Sequence, residues 1–309
     1  AMKPTEGLMN ILCNKKHVQS DKNIIVAPSE IIDSVYCGSI TMQRKKMLEK
    51  RLLVDNHIVE WGYDSLGRDK KFHGAYYVLS KVSAGIFTAF MTLTDHSLFS
   101  QLRRNKVSEN ALIVTDVTGS MYPYYSQLLV WHALKLSQGK KYNYAFFNDG
   151  DQKTQSQKVI GETGGIYLTK SAHLNKVYEK MYECMKGGFG GDTPENNFEA
   201  TLAGLSKFKN TNQIILICDN NAVPRDCNLL RKINQPIDFI MCGAYFGVDS
   251  RYIELARQNN GRLITVENSL ENLNQLEENE IVRLGNKKYR FRQGSIRPLN
   301  SNGQKYFIH

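Results

Sequence analysis

From residue 111 onward the chain alternates short apolar runs with amphipathic stretches. Ala111-Leu112-Ile113-Val114-Thr115-Asp116 is apolar without alternation, the pattern of a strand covered on both faces. Pro123 to Gln138 reads as a helix and Tyr142 to Phe147 as the next strand. Val159-Ile160 with Gly165 to Leu168 predicts a short return hairpin around Glu162-Thr163-Gly164. Helical patterns follow over 173–186 and 195–208. Gln213 to Cys218, Ile237 to Cys242 and Arg262 to Val266 are further apolar strands, separated by helices at about 225–234 and 249–259, and a last helical stretch is predicted near 269–278.

Strand and helix in alternation imply parallel pairing, because each parallel connection needs a crossover long enough to be a helix. The expected fold class is therefore α/β: a doubly wound, mostly parallel central sheet with helices on both faces. This domain is placed at 109–280. Residues 1–108 form an N-terminal extension to which no fold is assigned; Thr41 to Leu53 looks helical and charged, and Tyr76 to Leu93 is apolar. Residues 281–309 form a basic C-terminal hairpin and tail, with Glu280 to Leu284 and Lys288 to Gln293 flanking Gly285-Asn286-Lys287 and covering a sheet edge. No repeat of solenoid spacing is present.

Composition narrows the class without changing the picture. A chain of 309 residues with 41% hydrophobic content suits a globular core rather than disorder. No window holds the roughly 18 consecutive apolar residues of a membrane span. The opening Ala1-Met2-Lys3-Pro4 has no charged-then-apolar signal segment, and compartment stays open: extracytoplasmic if a leader was removed, cytoplasmic otherwise. The formal charge of +10 is uneven. From Arg283 onward stand Arg283, Lys287, Lys288, Arg290, Arg292, Arg297 and Lys305 with no carboxylate, and the expected role is that of a solvated hairpin whose cations discourage strand pairing. The six cysteines lack metal-ligand spacing and read as small hydrophobes. The histidines are dispersed, and none stands in a nucleophile motif.

The informative segment is Asp116-Val117-Thr118-Gly119-Ser120, just past the first parallel strand, where open α/β sheets place their ligands. Alternating residues of a turn aim a carboxylate and two hydroxyls into one small volume, and all-oxygen ligation suits a hard cation such as Mg²⁺. Two more loops are expected at the same edge. One is Gly187-Gly188-Phe189-Gly190-Gly191-Asp192-Thr193-Pro194-Glu195, whose glycines permit close approach. The other is Ile217-Cys218-Asp219-Asn220. Asn148-Asp149-Gly150-Asp151 reads as a solvated turn, and Glu195 as a carboxylate placed to start a helix. Tyr122, Tyr124, Tyr125 and Phe189 are candidates for apolar contact with a partner, although Tyr124 and Tyr125 read equally well as core.

At these residues, over about 110–280, the chain resembles the von Willebrand factor A family, a Rossmann-like fold. That family's metal-ion-dependent adhesion site is an Asp-x-Ser-x-Ser loop joined by a distant Thr and a distant Asp. Asp116, Thr118, Ser120, Thr193 and Asp219 stand at those positions in order, and the Gly-Gly-Asp-Thr-Pro-Glu run is also typical of it. Thr118 departs from the usual serine; its hydroxyl can still ligate, while its methyl adds bulk and stiffness. The resemblance implies Mg²⁺, with Mn²⁺ or Ca²⁺ as alternatives. The hydroxyls would ligate directly, one or both carboxylates would act through water, and one coordination position would be left for an Asp or Glu of a partner protein. The expected function is thus binding or adhesion without catalysis.

Two other classes compete. A metal-dependent hydrolase could use the same cation as Lewis acid. An aspartyl-phosphate mechanism, however, wants a carboxylate where Thr118 stands, and no Gly-x-x-x-x-Gly-Lys-Ser/Thr loop exists. RNA binding through the basic flanks is the lesser reading; it would weaken with salt and ignore a chelator, where a metal-bridged contact would do the reverse. Oligomeric state is not legible.

Overall fold

The unbroken apolar runs become the middle of a seven-stranded sheet in the computed structural model of the chain, which describes residues 24–26, 60–65, 71–79, 97–136, 140–172, 174–188, 194–244, 246–284 and 286–299. The described residues fall into two compact units, one within Ala1–Phe99, Tyr125–Lys141 and Ser171–Glu179, the other within Ser100–Tyr124, Tyr142–Lys170 and Lys180–His309.

In the first unit, β1 (Ile24–Val26), β2 (Glu60–Ser65) and β3 (Lys71–Leu79) form an antiparallel sheet in the order β1-β3-β2. The apolar stretch from Tyr76 overlaps the end of β3; the helix expected over Thr41 to Leu53 lies outside the described residues. Helix α1 (Ser97–Arg104) begins in this unit, where the Phe99 N–H donates to Gln127 Oε1 at 3.0 Å. Gln127 belongs to α2 (Tyr125–Leu136), whose Trp131 is buried, as a packing residue should be.

The second unit holds the large sheet. Its strands are β4 (Leu112–Asp116), β5 (Tyr142–Phe147), β6 (Ile166–Ser171), β7 (Ile214–Asp219), β8 (Ile237–Cys242), β9 (Arg262–Ile264) and β10 (Ser269–Leu270). Their spatial order is β10-β9-β8-β7-β4-β5-β6. Numbered within the sheet and read from β6, this is the 3-2-1-4-5-6 order of a doubly wound fold with one strand added. The pairs β4–β5, β4–β7, β7–β8 and β8–β9 are parallel, and β9–β10 is antiparallel. Strands β4, β5, β7 and β8 are buried along their whole length. Each large apolar side chain so removed from water contributes about 1.5–3 kcal/mol before entropy is counted. Cys184, Cys218 and Cys242 are buried free thiols, and burial pushes those of Cys184 and Cys218 well above the usual range.

Helix α3 (Leu174–Gly187) follows β6, and α4 (Asn197–Lys207) packs on β4, β5 and β7. Helix α5 (Ser250–Gln258) packs on β8 and β9, its first turn capped by Asp249 Oδ1 accepting from the Arg251 N–H. The predicted helix at 225–234 is a 3₁₀ segment, Cys227–Lys232. The helix predicted near 269–278 does not form. β10 occupies its start, and Asn272, at φ 53°, turns the chain into a single 3₁₀ turn at Leu273–Gln275. Val159 and Ile160 form no strand either, because the N–H groups of Gly161, Thr163 and Gly164 bond the Glu199 carboxylate instead of a ladder.

The basic C-terminal stretch has three strands, not two: β11 (Ile281–Leu284), β12 (Lys287–Arg292) and β13 (Ser295–Pro298), all antiparallel. Gln293 and Gly294, at φ 51° and 74°, make the second turn. Two central residues at positive φ match the twist of a tight hairpin, and glycine takes one of them without steric cost. β11 runs beside the edge strand β10, and the sheet is pinned to the segment just before α5 through the Tyr289 hydroxyl, which accepts from the Val248 N–H and donates to the Val248 carbonyl.

Candidate metal centre

The strand order reverses between β4 and β7: the chain leaves β4 for β5 on one side and reaches β7 on the other. That is the switch point at which doubly wound sheets open a crevice at their carboxyl edge. Asp116 ends β4 and Asp219 ends β7, on neighbouring parallel strands.

The turn after Asp116 folds back on it. Asp116 Oδ1 accepts the Thr118 N–H at 2.8 Å and the Thr118 hydroxyl at 2.7 Å, and the Thr118 and Ser120 hydroxyl oxygens stand 3.3 Å apart. One carboxylate and two hydroxyls thus occupy one small volume. Thr118 is buried and Ser120 faces solvent, so the group opens outward at Ser120. Asp116 Oδ2 is buried with no hydrogen-bond partner. Burial drives the Asp116 carboxyl up to about 7; its two bonds from Thr118 oppose the shift, and the charges of Asp219 and Asp149 add to it. Asp219 is nearly buried, its oxygens accepting the backbone N–H and side-chain amide of Asn221 at 2.9 and 3.0 Å.

Thr193 lies outside the described residues, as do Phe189 and Asp192, but both ends of their loop are described. At its start the backbone is pressed against the turn after β5. A Cβ on Gly187 would lie 2.3 Å from Asp151 Oδ1, and one on Gly188 2.0 Å from the Asp151 carbonyl oxygen, so only glycine fits. At its end Arg225 donates to the Pro194 carbonyl, and the Arg225 N–H donates to the Glu195 carbonyl at 2.9 Å.

Two residues read as bland in the sequence are neither solvated nor peripheral. Asp149 is completely buried, its Oδ2 accepting from Lys158, whose side chain is also buried, and from Arg225 at 2.8 Å. The neighbouring Asn148 amide ties the same turn to Asp151 and to the Cys184 carbonyl. Glu195 is only half-exposed, and its Oε2 is buried without a partner. Desolvation, with the charges of Asp116, Asp149 and Asp219, pushes its carboxyl up to about 10, against the opposing charge of Lys158. Four carboxylates therefore act on one another at this edge beside two cations. The signal for Asp149 was present in the sequence only as Lys158 and Arg225, distant along the chain and silent until folded.

Among the described residues no group of three or more His, Cys, Asp or Glu side chains is disposed to hold a metal by itself; a cation here would draw on the hydroxyls. Of the aromatic candidates, Tyr122 is 73% exposed while Tyr124 and Tyr125 are buried. Phe246, not singled out in the sequence, is 80% exposed. Its loop is tied to the Asp219 loop by Asn220, whose amide donates to the Gly247 carbonyl and accepts from the Asp249 N–H, both at 2.9 Å.

No protein-family profile matches the chain, and no curated protein is significantly similar to it. Among solved structures it is similar to a protein described as von Willebrand factor type A from Catenulispora acidiphila, with 18% identity, 51% of this chain and 38% of that chain covered, and a TM-score of 0.30. The matched stretch spans little more than a third of that protein.

Proposed function

We propose that this edge holds one divalent cation, Mg²⁺ first, and uses it to bind a carboxylate offered by another protein, without catalysis. The observation that carries the reading is Asp116: a buried carboxylate bonded to the Thr118 hydroxyl, which stands 3.3 Å from that of Ser120, with one carboxylate oxygen left unpartnered and further acids bearing on it. A buried charge of this kind costs several kcal/mol unless compensated, and a cation is the compensation that the donor chemistry fits. The hydroxyls of Thr118 and Ser120 would hold the ion together with Thr193. Asp116 and Asp219, already engaged with Thr118 and Asn221, are suited to act through bound water. When bound, the ion supplies an electrophilic oxygen-seeking centre, and the exposed rings of Tyr122 and Phe246 supply apolar contact to the partner.

No helix among the described residues is long and apolar enough to cross a membrane. The deciding experiment is a calorimetric titration with Mg²⁺ and Mn²⁺ of the wild-type chain beside Asp116→Ala, with melting in EDTA as companion. Saturable binding that disappears in the variant, and a melting temperature that falls in EDTA, are expected; absence of binding in the wild type refutes the reading.

A further inference from the structure

The C-terminal sheet sorts its charges by face. Side chains alternate across a strand, and directly paired residues share a face. On β12, Lys287, Tyr289 and Phe291 therefore point one way and Lys288, Arg290 and Arg292 the other. The pairing register sets Arg283 opposite Lys288 and Arg297 opposite Arg290, which brings five cations onto one face. Leu284, Tyr289 and Ile296, buried on the opposite face, form its contact with the core. Arg283, Lys288, Arg292 and Arg297 are exposed.

Edge protection does not account for this arrangement. Cations on outer strands discourage unwanted pairing, but Lys288, Arg290 and Arg292 lie on the central strand, where there is no edge to protect. Two like-charged pairs stand directly opposite each other, which destabilises a sheet, and among the described residues none of the five makes an ion pair. The Arg290 Nε, at the centre of the face, is buried without a hydrogen-bond partner. The nearest acids in sequence, Glu278 and Glu280, are occupied by the backbone N–H groups of Gln293 and Glu277.

We infer that this face docks the phosphodiester backbone of a single-stranded nucleic acid. Four of the five cations are arginines, whose planar forks grip phosphate oxygens in pairs. Alternate residues along β12 are about 6.8 Å apart, so Lys288, Arg290 and Arg292 form a regular row of cations suited to successive phosphates. Among the described residues the face carries no aromatic ring for base stacking, so it reads backbone charge and not base identity. A bilayer surface is the poorer fit, because membrane-surface elements set several large apolar side chains beside their lysines, and among the described residues this face exposes Ile281 alone.

The test is fluorescence anisotropy of the full chain with labelled oligo(U) and oligo(dT) of about 16 nucleotides, over a salt series, with and without EDTA. The two oligonucleotides should bind alike and independently of EDTA, with log affinity falling against log salt at a slope near −3.5, as about five phosphate contacts to a single strand require. Arg290→Gln/Arg297→Gln should weaken binding about tenfold and flatten the slope by roughly 1.4. Should that pair compromise folding, judged by its melting curve, Arg283→Gln/Arg292→Gln gives the same reading from more exposed positions. Absence of binding at low salt, equal affinity in the variants, or capture by phosphatidylserine vesicles that the oligonucleotides cannot displace overturns the inference. Because EDTA does not enter it, its failure leaves the cation site untouched, and the reverse holds too.

Discussion

Two neighbouring strands of the large sheet deliver a buried aspartate to the same edge, and the protein treats them in opposite ways. Asp149, just beyond β5, is matched by Lys158 and Arg225. Asp116, at the end of β4, is given the hydroxyl and backbone N–H of Thr118 and keeps one unpartnered oxygen. The first arrangement is held within the chain: one carboxylate meets two cations, and it draws the loop after β5, the Arg225 loop and the Pro194 carbonyl together. On the proposed reading, the second is completed by a cation from outside. Acids so differently provided with cations side by side fit that reading, Asp149 holding the edge and Asp116 serving the cation.

Removing Asp149 is the severest test of that contrast. Asp149→Ala strands two cations in a buried site, and a loss of about 3–5 kcal/mol is expected, measured as a large drop in melting temperature with or without Mg²⁺. A small drop would mean that Asp149 does not hold the edge.

Asp226 offers a control away from the cation. It is fully buried where α4 begins, and its Oδ2 accepts the Glu199 N–H at 2.6 Å. Desolvation raises its carboxyl to about 7, with the Glu199 charge a lesser contribution and backbone N–H bonds opposing. The folded value lies above the unfolded one, so the proton is held more tightly in the native state. The group's contribution to stability is therefore full below about pH 4 and lost as pH rises through 7. Relative to wild type, Asp226→Asn should gain on the order of 2–4 kcal/mol between pH 5 and pH 8, read from paired melting curves. A pH-independent difference would remove desolvation as the cause.

Asp116→Asn carries the other half of the comparison. Neutralising it in EDTA should raise stability by about 1–3 kcal/mol, since an uncompensated buried charge is removed, while the stabilisation given by added Mg²⁺ disappears. A variant as unstable as that of Asp149 would erase the distinction. The smallest effect belongs to Tyr122→Ser, at an exposed position: stability within about 0.5 kcal/mol of wild type, with weakened chelator-sensitive capture of an acidic partner as its readout.

The sheet was legible because its strands are apolar without interruption, and the grouping of Asp116, Thr118 and Ser120 because three side chains within one turn converge by local geometry. Asp149 was not, since Asn148-Asp149-Gly150-Asp151 has the composition of a solvated turn and its partners arrive from nine and 76 residues away. Glu195 was misread for a related reason. A carboxylate ahead of a helix ordinarily faces water, and only the approach of β4 and β7 takes that water away. β13 was missed because Ser295-Ile296-Arg297-Pro298 is short, basic and closed by proline, with one buried apolar residue to mark it.

The two-residue turn at Gln293-Gly294 sets more than the direction of the chain. Since a strand has two faces and the pairing is fixed by the turn, adding or deleting one residue there would carry Arg297 toward the core and Ile296 into water. For this segment length comes before chemistry: its count cannot change by one without exchanging its two faces. Divergent copies of the chain should accordingly vary hardly at all in the spacing from Tyr289 to Ile296.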